Sequence, residues 1–187
     1  MKTLISFTLL YFISFNGISI AQNEVSQSTL YSKIDDYLEA GTEHGFAGAI
    51  ALIKNGAVVI NKGYGFANRN TQTLNNPNTI FDIGSNTKQF TTTAILKLFE
   101  MGKLNLDNPL SDYFENLPED KQNITIHQLL SHTSGFLDAI GNDFDMISQT
   151  EFFETVFSSE LLFKPGEGFE YSNIGYSILG RIIELTS

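Results

Sequence analysis

Two spacings of apolar residues alternate along the chain and predict an α+β protein. A spacing of about three to four residues, typical of one face of a helix, occurs in Leu30 to Leu38, Phe90 to Met101 and Ile174 to Ile183. Gly41 and Gly102 follow the first two segments and predict that the first helix ends near Gly41 and the second at Gly102. Each helix is expected to bury its apolar face, and the middle one would hold the residues at its N-terminus on a rigid support.

A β-hairpin is predicted between the first two helices. Runs rich in Ile, Val and Ala cover Gly48 to Lys54 and Ala57 to Tyr64. Asn55 and Gly56 separate these runs, and this pair favours a type I′ turn because both central residues of that turn need a positive φ. The polar residues 68–79 are predicted to form a loop.

Two capping signals mark shorter helices. Thr125 and Gln128 have the spacing of a capping box, and Gly135 would close the short helix that this box opens. Ser148 and Glu151 form a second box ahead of an apolar-rich segment.

The first 21 residues have the pattern of a secretory signal peptide. Lys2 precedes the apolar run Leu4 to Phe15, and Ser19-Ile20-Ala21 is a cleavage site of the small-x-small type. An uncleaved membrane anchor is the alternative, but the run is short for a membrane span. We therefore predict an exported protein, periplasmic or extracellular, with residues 1–21 as the signal peptide and no stable membrane span after its removal.

Composition and charge disfavour several function classes. The chain has 187 residues, 42% of them hydrophobic, with no cysteine and a formal net charge of −10. These values suit a soluble globular domain and argue against nucleic acid as a partner. The three histidines, His44, His127 and His132, lack the spacing of metal ligands, and the absence of cysteine excludes a thiolate zinc site. We expect neither a metal nor a cofactor.

Candidate chemistry begins at Ser85-Asn86-Thr87-Lys88, where a strand-like segment gives way to a helix. Residues i and i+3 share a helix face, so the Lys88 amine can reach the Ser85 hydroxyl. A serine hydroxyl is a weak nucleophile until a base takes its proton, and the N-terminus of a helix favours developing negative charge. This pattern indicates an activated serine, although a helix-capping serine beside an exposed lysine would have the same spacing.

A second candidate, Tyr171-Ser172-Asn173, precedes the last helix. A phenol beside an ammonium can exchange a proton with a serine, and a carboxamide can orient a substrate amide. The alternative is structural, with Tyr171 packed in the protein and Asn173 capping the helix.

Together, Ser85-x-x-Lys88 and Tyr171-x-Asn173 resemble the first two motifs of the serine β-lactamase and penicillin-binding protein superfamily. The tyrosine resembles that of its class C β-lactamase-related members. The flanking segments Phe81 to Ser85, Leu129 to Gly135 and Pro165 to Tyr176 also resemble the family. The resemblance implies a β-lactamase/transpeptidase-like fold, with an antiparallel sheet flanked by helices and a helical subdomain.

The resemblance also implies a role for each motif residue. Ser85 would be the acylated nucleophile, and its backbone N–H would be one of two oxyanion donors. Lys88 would hold or shuttle the proton. Tyr171 would act as base in acylation and would deprotonate the attacking water in deacylation. Asn173 would bind the substrate amide.

One part of the family pattern is absent from this sequence. The third motif is a Lys or His followed one residue later by Gly, on a strand well after the Tyr-x-Asn motif, and no such motif follows Asn173. The C-terminal strands of the sheet are also expected to be missing, so residues 22–187 are interpreted as a partial domain. His132 resembles a structural position of the family, and the other two histidines are interpreted as scaffold.

Three hypotheses remain open. The first is a serine hydrolase that acts through an acyl-enzyme on an amide, ester or β-lactam, of the β-lactamase, D-Ala carboxypeptidase or esterase type. Its substrate would be a small molecule or a peptide, cell-wall peptides included. The second is a non-catalytic penicillin-binding or sensor domain. The third is an inactive fragment of the hydrolase, in which case the full-length protein is the enzyme and this chain alone is inactive.

Overall fold

The structure, a computed structural model, describes residues 29–142 and 146–187. The described residues divide into two compact units, with the boundary between Asp82 and Ile83, and the predicted site residues all belong to the second unit. The predicted signal peptide, residues 1–21, lies outside the described residues.

The first unit contains one helix and two hairpins. Helix α1 covers residues 29–43. Strand β1 (Gly48–Lys54) pairs antiparallel with β2 (Ala57–Tyr64), and β3 (Phe66–Asn68) pairs antiparallel with β4 (Thr73–Leu74). Within the described part of the chain, each of these sheets has two strands.

The turn between β1 and β2 has the predicted geometry. Asn55 has a φ of 50° and Gly56 a φ of 78°, so both central residues lie in the left-handed region that a type I′ turn requires. The strands on either side match the predicted runs at both ends. This prediction is confirmed.

Part of the second hairpin lies where the sequence predicted a loop, so the loop prediction is wrong at Asn68, Thr73 and Leu74. These strands are too short to show an alternation of apolar and polar residues. The backbone after β4 also lies close to β2: a Cβ on Gly63 would lie 2.2 Å from the carbonyl carbon of Asn75. The Asn75 side chain also donates a hydrogen bond to the Tyr64 carbonyl at 2.9 Å.

A polar cluster joins α1 to β2. The Asp35 carboxylate accepts hydrogen bonds from the Tyr64 hydroxyl at 2.7 Å and from Lys62 Nζ at 3.0 Å. Since Tyr64 is only 2% exposed, its hydroxyl needs such a partner.

The second unit is helical. Its helices are α2 (Thr87–Glu100), α3 (Glu119–Gln122), α4 (Ile126–Leu130), α5 (Gln149–Ser158) and α6 (Asn173–Thr186). Helix α6 packs against both α2 and α4. This arrangement places the N-terminal ends of α2 and α6 in one structural unit.

The predicted apolar stripe of α6 is confirmed. Its buried members are Ile174, Ile178, Leu179 and Ile182. They join a core that includes Ile126 and Leu129 of α4 and Val156 of α5. Because the core lies along α6, the start of this helix has a fixed position relative to its neighbours.

The predicted buried face of α2 is wrong in part. Ile95 and Leu98 are buried, whereas Phe90 is 69% exposed and Met101 is 56% exposed. The core reaches α2 through Ile95 and Leu98, which lie on one side of the predicted stripe. The predicted end of this helix is confirmed, since Gly102 has a φ of 68° and its N–H bonds to the Phe99 carbonyl.

Candidate active site

Ser85 lies in a single 3₁₀ turn, Gly84–Asn86, that leads directly into α2. Gly84 has a φ of 50°, a conformation that glycine adopts without the cost that a Cβ imposes. The serine is exposed. The predicted strand-to-helix junction is therefore a tight turn that presents the hydroxyl at the N-terminal end of α2.

Lys88 lies in the first turn of α2 and extends toward α6. Its ammonium donates a hydrogen bond to Asn173 Oδ1 at 2.5 Å. The same ammonium lies 4.7 Å from the ring centre of Tyr171 and 5.3 Å from that of Tyr176. Aromatic faces attract cations at such distances, so three residues of one segment hold the lysine head group.

Tyr171 connects the two motifs. Its hydroxyl donates a hydrogen bond to Ser85 Oγ at 2.8 Å, across 86 residues of sequence. Tyr171 is 38% exposed, so it is not a core side chain. The structure thus brings all four predicted site residues together: Ser85 and Lys88 both approach Tyr171, and Lys88 also contacts Asn173.

The surroundings of Tyr171 favour its ionised form. The pKa of its phenol is lowered, first by hydrogen bonding with Lys88 and second by hydrogen bonding with Ser85. Desolvation and the Asp138 carboxylate act in the opposite direction, but more weakly. A phenol with a lowered pKa gives up its proton more readily, as a general base must before it can accept one.

Helix α4 begins as predicted and ends earlier than predicted. The capping box of Thr125 and Gln128 is present with both of its hydrogen bonds. The helix ends at Leu130, and His132, with a φ of 60°, occupies the left-handed position that terminates it. The prediction that Gly135 closes this helix is therefore wrong. Gly135 instead lies against the backbone of Phe163, where a Cβ would be 2.3 Å from the carbonyl oxygen.

His132 contacts the site through both its ring and a ring nitrogen. The imidazole stacks on Tyr171 with ring centres 4.6 Å apart and planes 27° apart. Its Nδ1 accepts the backbone N–H of Ser172 at 3.0 Å, which requires that nitrogen to be unprotonated. Burial, followed by the charge of Lys88, lowers the pKa of His132. The predicted scaffold role agrees with these contacts, but the sequence did not reveal that His132 supports Tyr171 directly.

Ser172 caps the last helix and leaves the Asn173 side chain available. The Ser172 hydroxyl accepts the Gly175 N–H at 3.0 Å and donates to the Leu137 carbonyl at 2.7 Å. The alternative in which Asn173 caps α6 is therefore wrong. Instead, the Asn173 carboxamide accepts from Lys88 and donates from Nδ2 to Asp138 Oδ1 at 2.9 Å.

Two neighbours of the site were not found from the sequence. Asp138 follows the segment 129–135 and precedes Asn173 by 35 residues, and no motif marks it. Tyr176 is one helical turn after Asn173, so the periodicity of α6 could have placed it beside the site. Its hydroxyl donates to the Leu130 carbonyl at 3.2 Å.

The described residues contain neither a cluster of metal ligands nor a helix that could span a membrane. Among residues 29–142 and 146–187, no three His, Asp or Glu side chains are grouped as metal ligands are. In the same two ranges, no helix has both the length and the apolar character needed to cross a bilayer.

Comparison with protein-family profiles identifies the family of this chain. The Beta-lactamase family profile matches residues 33–187. The chain belongs to the β-lactamase family. Protein flp of Staphylococcus aureus is 38% identical over 162 residues, which cover 81% of this chain and 32% of that protein. The chain therefore spans about a third of the length of this curated relative.

Solved structures confirm the predicted β-lactamase/transpeptidase-like fold. An octameric penicillin-binding protein homologue from Pyrococcus abyssi is 34% identical, with a TM-score of 0.69 over 82% of this chain and 38% of its own. A class C β-lactamase solved in complex with cefoxitin is 24% identical and has a TM-score of 0.74 over 86% of this chain and 46% of its own. At that identity the second likeness concerns the fold alone.

Proposed function

We propose that the intact protein is a serine hydrolase that forms an acyl-enzyme on Ser85. One observation carries the proposal, the 2.8 Å hydrogen bond between Tyr171 and Ser85 with Lys88 beside it. A nucleophile, a base within hydrogen-bond distance and a cation that favours the ionised base are the parts that covalent catalysis by serine needs.

In acylation, Tyr171 acts as the base. When its phenol is ionised, the same contact carries a hydrogen bond from the Ser85 hydroxyl to the phenolate oxygen. The phenolate takes the proton as Oγ attacks the carbonyl carbon of the substrate, and a tetrahedral oxyanion forms. Collapse of this intermediate re-forms the carbonyl, and the leaving group departs with the proton from Tyr171. The acyl group is then bound to Ser85 as an ester.

Deacylation repeats these steps with water. Tyr171, again ionised, removes a proton from a water that attacks the ester carbonyl, and it returns the proton to Ser85 Oγ as the acid product leaves. The Lys88 side chain stays beside Tyr171 in both halves. Its contact with Asn173 holds it there.

Substrate contacts come from the remaining groups. The Ser85 backbone N–H, at the start of α2, is proposed as one oxyanion donor. Asn173 is proposed to contact a substrate amide, because one of its Nδ2 hydrogens is bound by Asp138 and a carboxamide nitrogen has two. An amide, ester or β-lactam carbonyl is the reactive group that fits, in a small molecule or a peptide. The signal-peptide pattern would place this reaction outside the cytoplasm, where cell-wall peptides occur.

The test is covalent labelling of the intact protein. A fluorophosphonate and a β-lactam are each incubated with the protein, and the mass increase is located by peptide mass spectrometry. We expect the adduct on Ser85 and no adduct in Ser85→Ala. Ser158→Ala is the matched control, since Ser158 is an exposed serine of α5. Labelling of Ser85→Ala at the wild-type rate would refute the proposal.

A penicillin-binding domain without turnover is the second candidate. It is favoured by the likeness to the Pyrococcus abyssi penicillin-binding protein homologue. The two candidates differ in deacylation. A burst of product equal to the protein concentration, with no steady rate after it, would favour the second, and continued turnover would favour the first.

A further inference from the structure

The Asp138 carboxylate binds the amide nitrogen of Asn173, whose amide oxygen binds Lys88. The Asn173 side chain bridges two charged groups: its Oδ1 accepts from Lys88 Nζ, and its Nδ2 donates to Asp138 Oδ1 at 2.9 Å. An ammonium can only donate hydrogen bonds, and an ionised carboxylate can only accept them. A flipped carboxamide would oppose donor to donor at one end and acceptor to acceptor at the other, so the two charges together allow one orientation.

Asp138 is itself held by the start of α6. Its backbone carbonyl accepts the N–H groups of Asn173 at 2.9 Å and Ile174 at 3.1 Å. Its carboxylate also accepts the Asn173 N–H at 3.3 Å. The carboxylate therefore lies among the first N–H groups of a helix, where negative charge is favoured, and its position does not depend on Lys88.

We propose that Asp138 is a positioning residue of the Ser85 site, which anchors the Asn173 carboxamide so that Oδ1 stays on Lys88. The inference rests on the proposed function, because Asp138 would affect the reaction rate only by positioning Lys88 beside Tyr171. Without the anchor, the carboxamide can rotate about its side-chain bonds, and Lys88 loses a fixed acceptor. The lysine then samples positions away from the Tyr171 ring.

Two substitutions separate anchoring from charge. Asp138→Asn keeps an oxygen acceptor for Asn173 Nδ2 but removes the negative charge, whereas Asp138→Leu removes both at a similar size. Both leave in place the Asp138 backbone carbonyl, which accepts the N–H groups of Asn173 and Ile174. The other charged and titratable groups around Tyr171 are Lys88, His132 and Tyr176, which do not change in either variant.

The measurement is the rate of Ser85 phosphonylation in the intact protein as a function of pH. Since the Asp138 carboxylate opposes the lowering of the Tyr171 pKa, Asp138→Asn should shift the midpoint of the profile to lower pH. In Asp138→Leu the displaced Lys88 ammonium acts in the opposite direction, so its midpoint should lie above that of Asp138→Asn. Only Asp138→Leu should lose plateau rate, by roughly 10- to 100-fold, as is typical when a supporting contact of a reactive group is removed. Asp138→Asn should keep the plateau within about 3-fold of wild type, since its acceptor remains.

Equal plateau losses in the two variants, or no loss in either, would overturn the inference while leaving the proposed function intact. Failure of the proposed function looks different, because the wild-type protein then forms no adduct on Ser85. A second readout, which does not depend on reaction at Ser85, tests the anchor in that case. The side-chain amide protons of Asn173 should exchange slowly with water in wild type and Asp138→Asn and faster in Asp138→Leu, as measured by NMR. Equal exchange in all three proteins would also overturn the inference.

Discussion

Replacing His132 tests how the loop after α4 supports Tyr171, the proposed general base. His132→Ala removes the acceptor of the Ser172 N–H, and Ser172 is only 1% exposed, so that donor is left unpaired in the protein. An unpaired buried donor costs about 1–3 kcal/mol. Loss of the stacked ring on Tyr171 costs about 0.5–1.5 kcal/mol more. The left-handed φ of 60° at this position adds little to the difference, since histidine already carries the cost that a Cβ imposes there.

His132→Asn separates these contributions. Asparagine tolerates the left-handed conformation, and its Oδ1 can take the place of Nδ1 as acceptor, so only the stacking is lost. We expect His132→Ala to lower the free energy of unfolding by about 1.5–4.5 kcal/mol and His132→Asn by about 1 kcal/mol.

Urea unfolding of the intact protein, followed by circular dichroism, measures both values. Hydrogen exchange of the Ser172 amide reports the same contact locally, and His127→Asn on the exposed side of α4 is the control for the substitution itself. If the two His132 variants lose the same free energy within about 0.5 kcal/mol, or the Ser172 amide exchanges equally in both, the acceptor argument is refuted.

Three further outcomes are expected. Lys88→Met should raise the pKa of Tyr171 and move the pH midpoint of Ser85 labelling upward, and an unchanged midpoint would contradict the role of the ammonium. The pKa of His132 is lower in the folded protein than its unfolded value of about 6.5, so the unfolded chain takes up this proton first as the pH falls. The free energy of unfolding should therefore decrease as the pH drops below about 6.5. This part of the pH dependence should be absent in His132→Asn. Ile178→Ala, in the fully buried stripe of α6, should cost about 2–5 kcal/mol in urea unfolding, and a loss below about 1 kcal/mol would mean that the site is not packed as described.

Local patterns determined the elements on which the site is built. The turn at Asn55-Gly56 follows from residues that accept positive φ, and the stripe of α6 follows from a spacing that any helix imposes. The Ser-x-x-Lys and Tyr-x-Asn motifs are local as well. Their resemblance to the family, more than their spacing, connected them to one site, and the family match over residues 33–187 agrees with that connection.

Only the tertiary structure decided how the motifs meet. Tyr171 reaches Ser85 across 86 residues because α6 packs against α2, and that packing uses Ile95 and Leu98 rather than the whole apolar stripe of α2. The spacing of apolar residues along a helix does not determine which of them a neighbouring helix will cover. The supports of the site are also long-range: His132 takes a left-handed conformation at the end of α4, and Asp138 lies in a loop that bonds to the start of α6. A residue whose role depends on a partner brought near by packing has no local signature, because its own sequence neighbours do not make the contact.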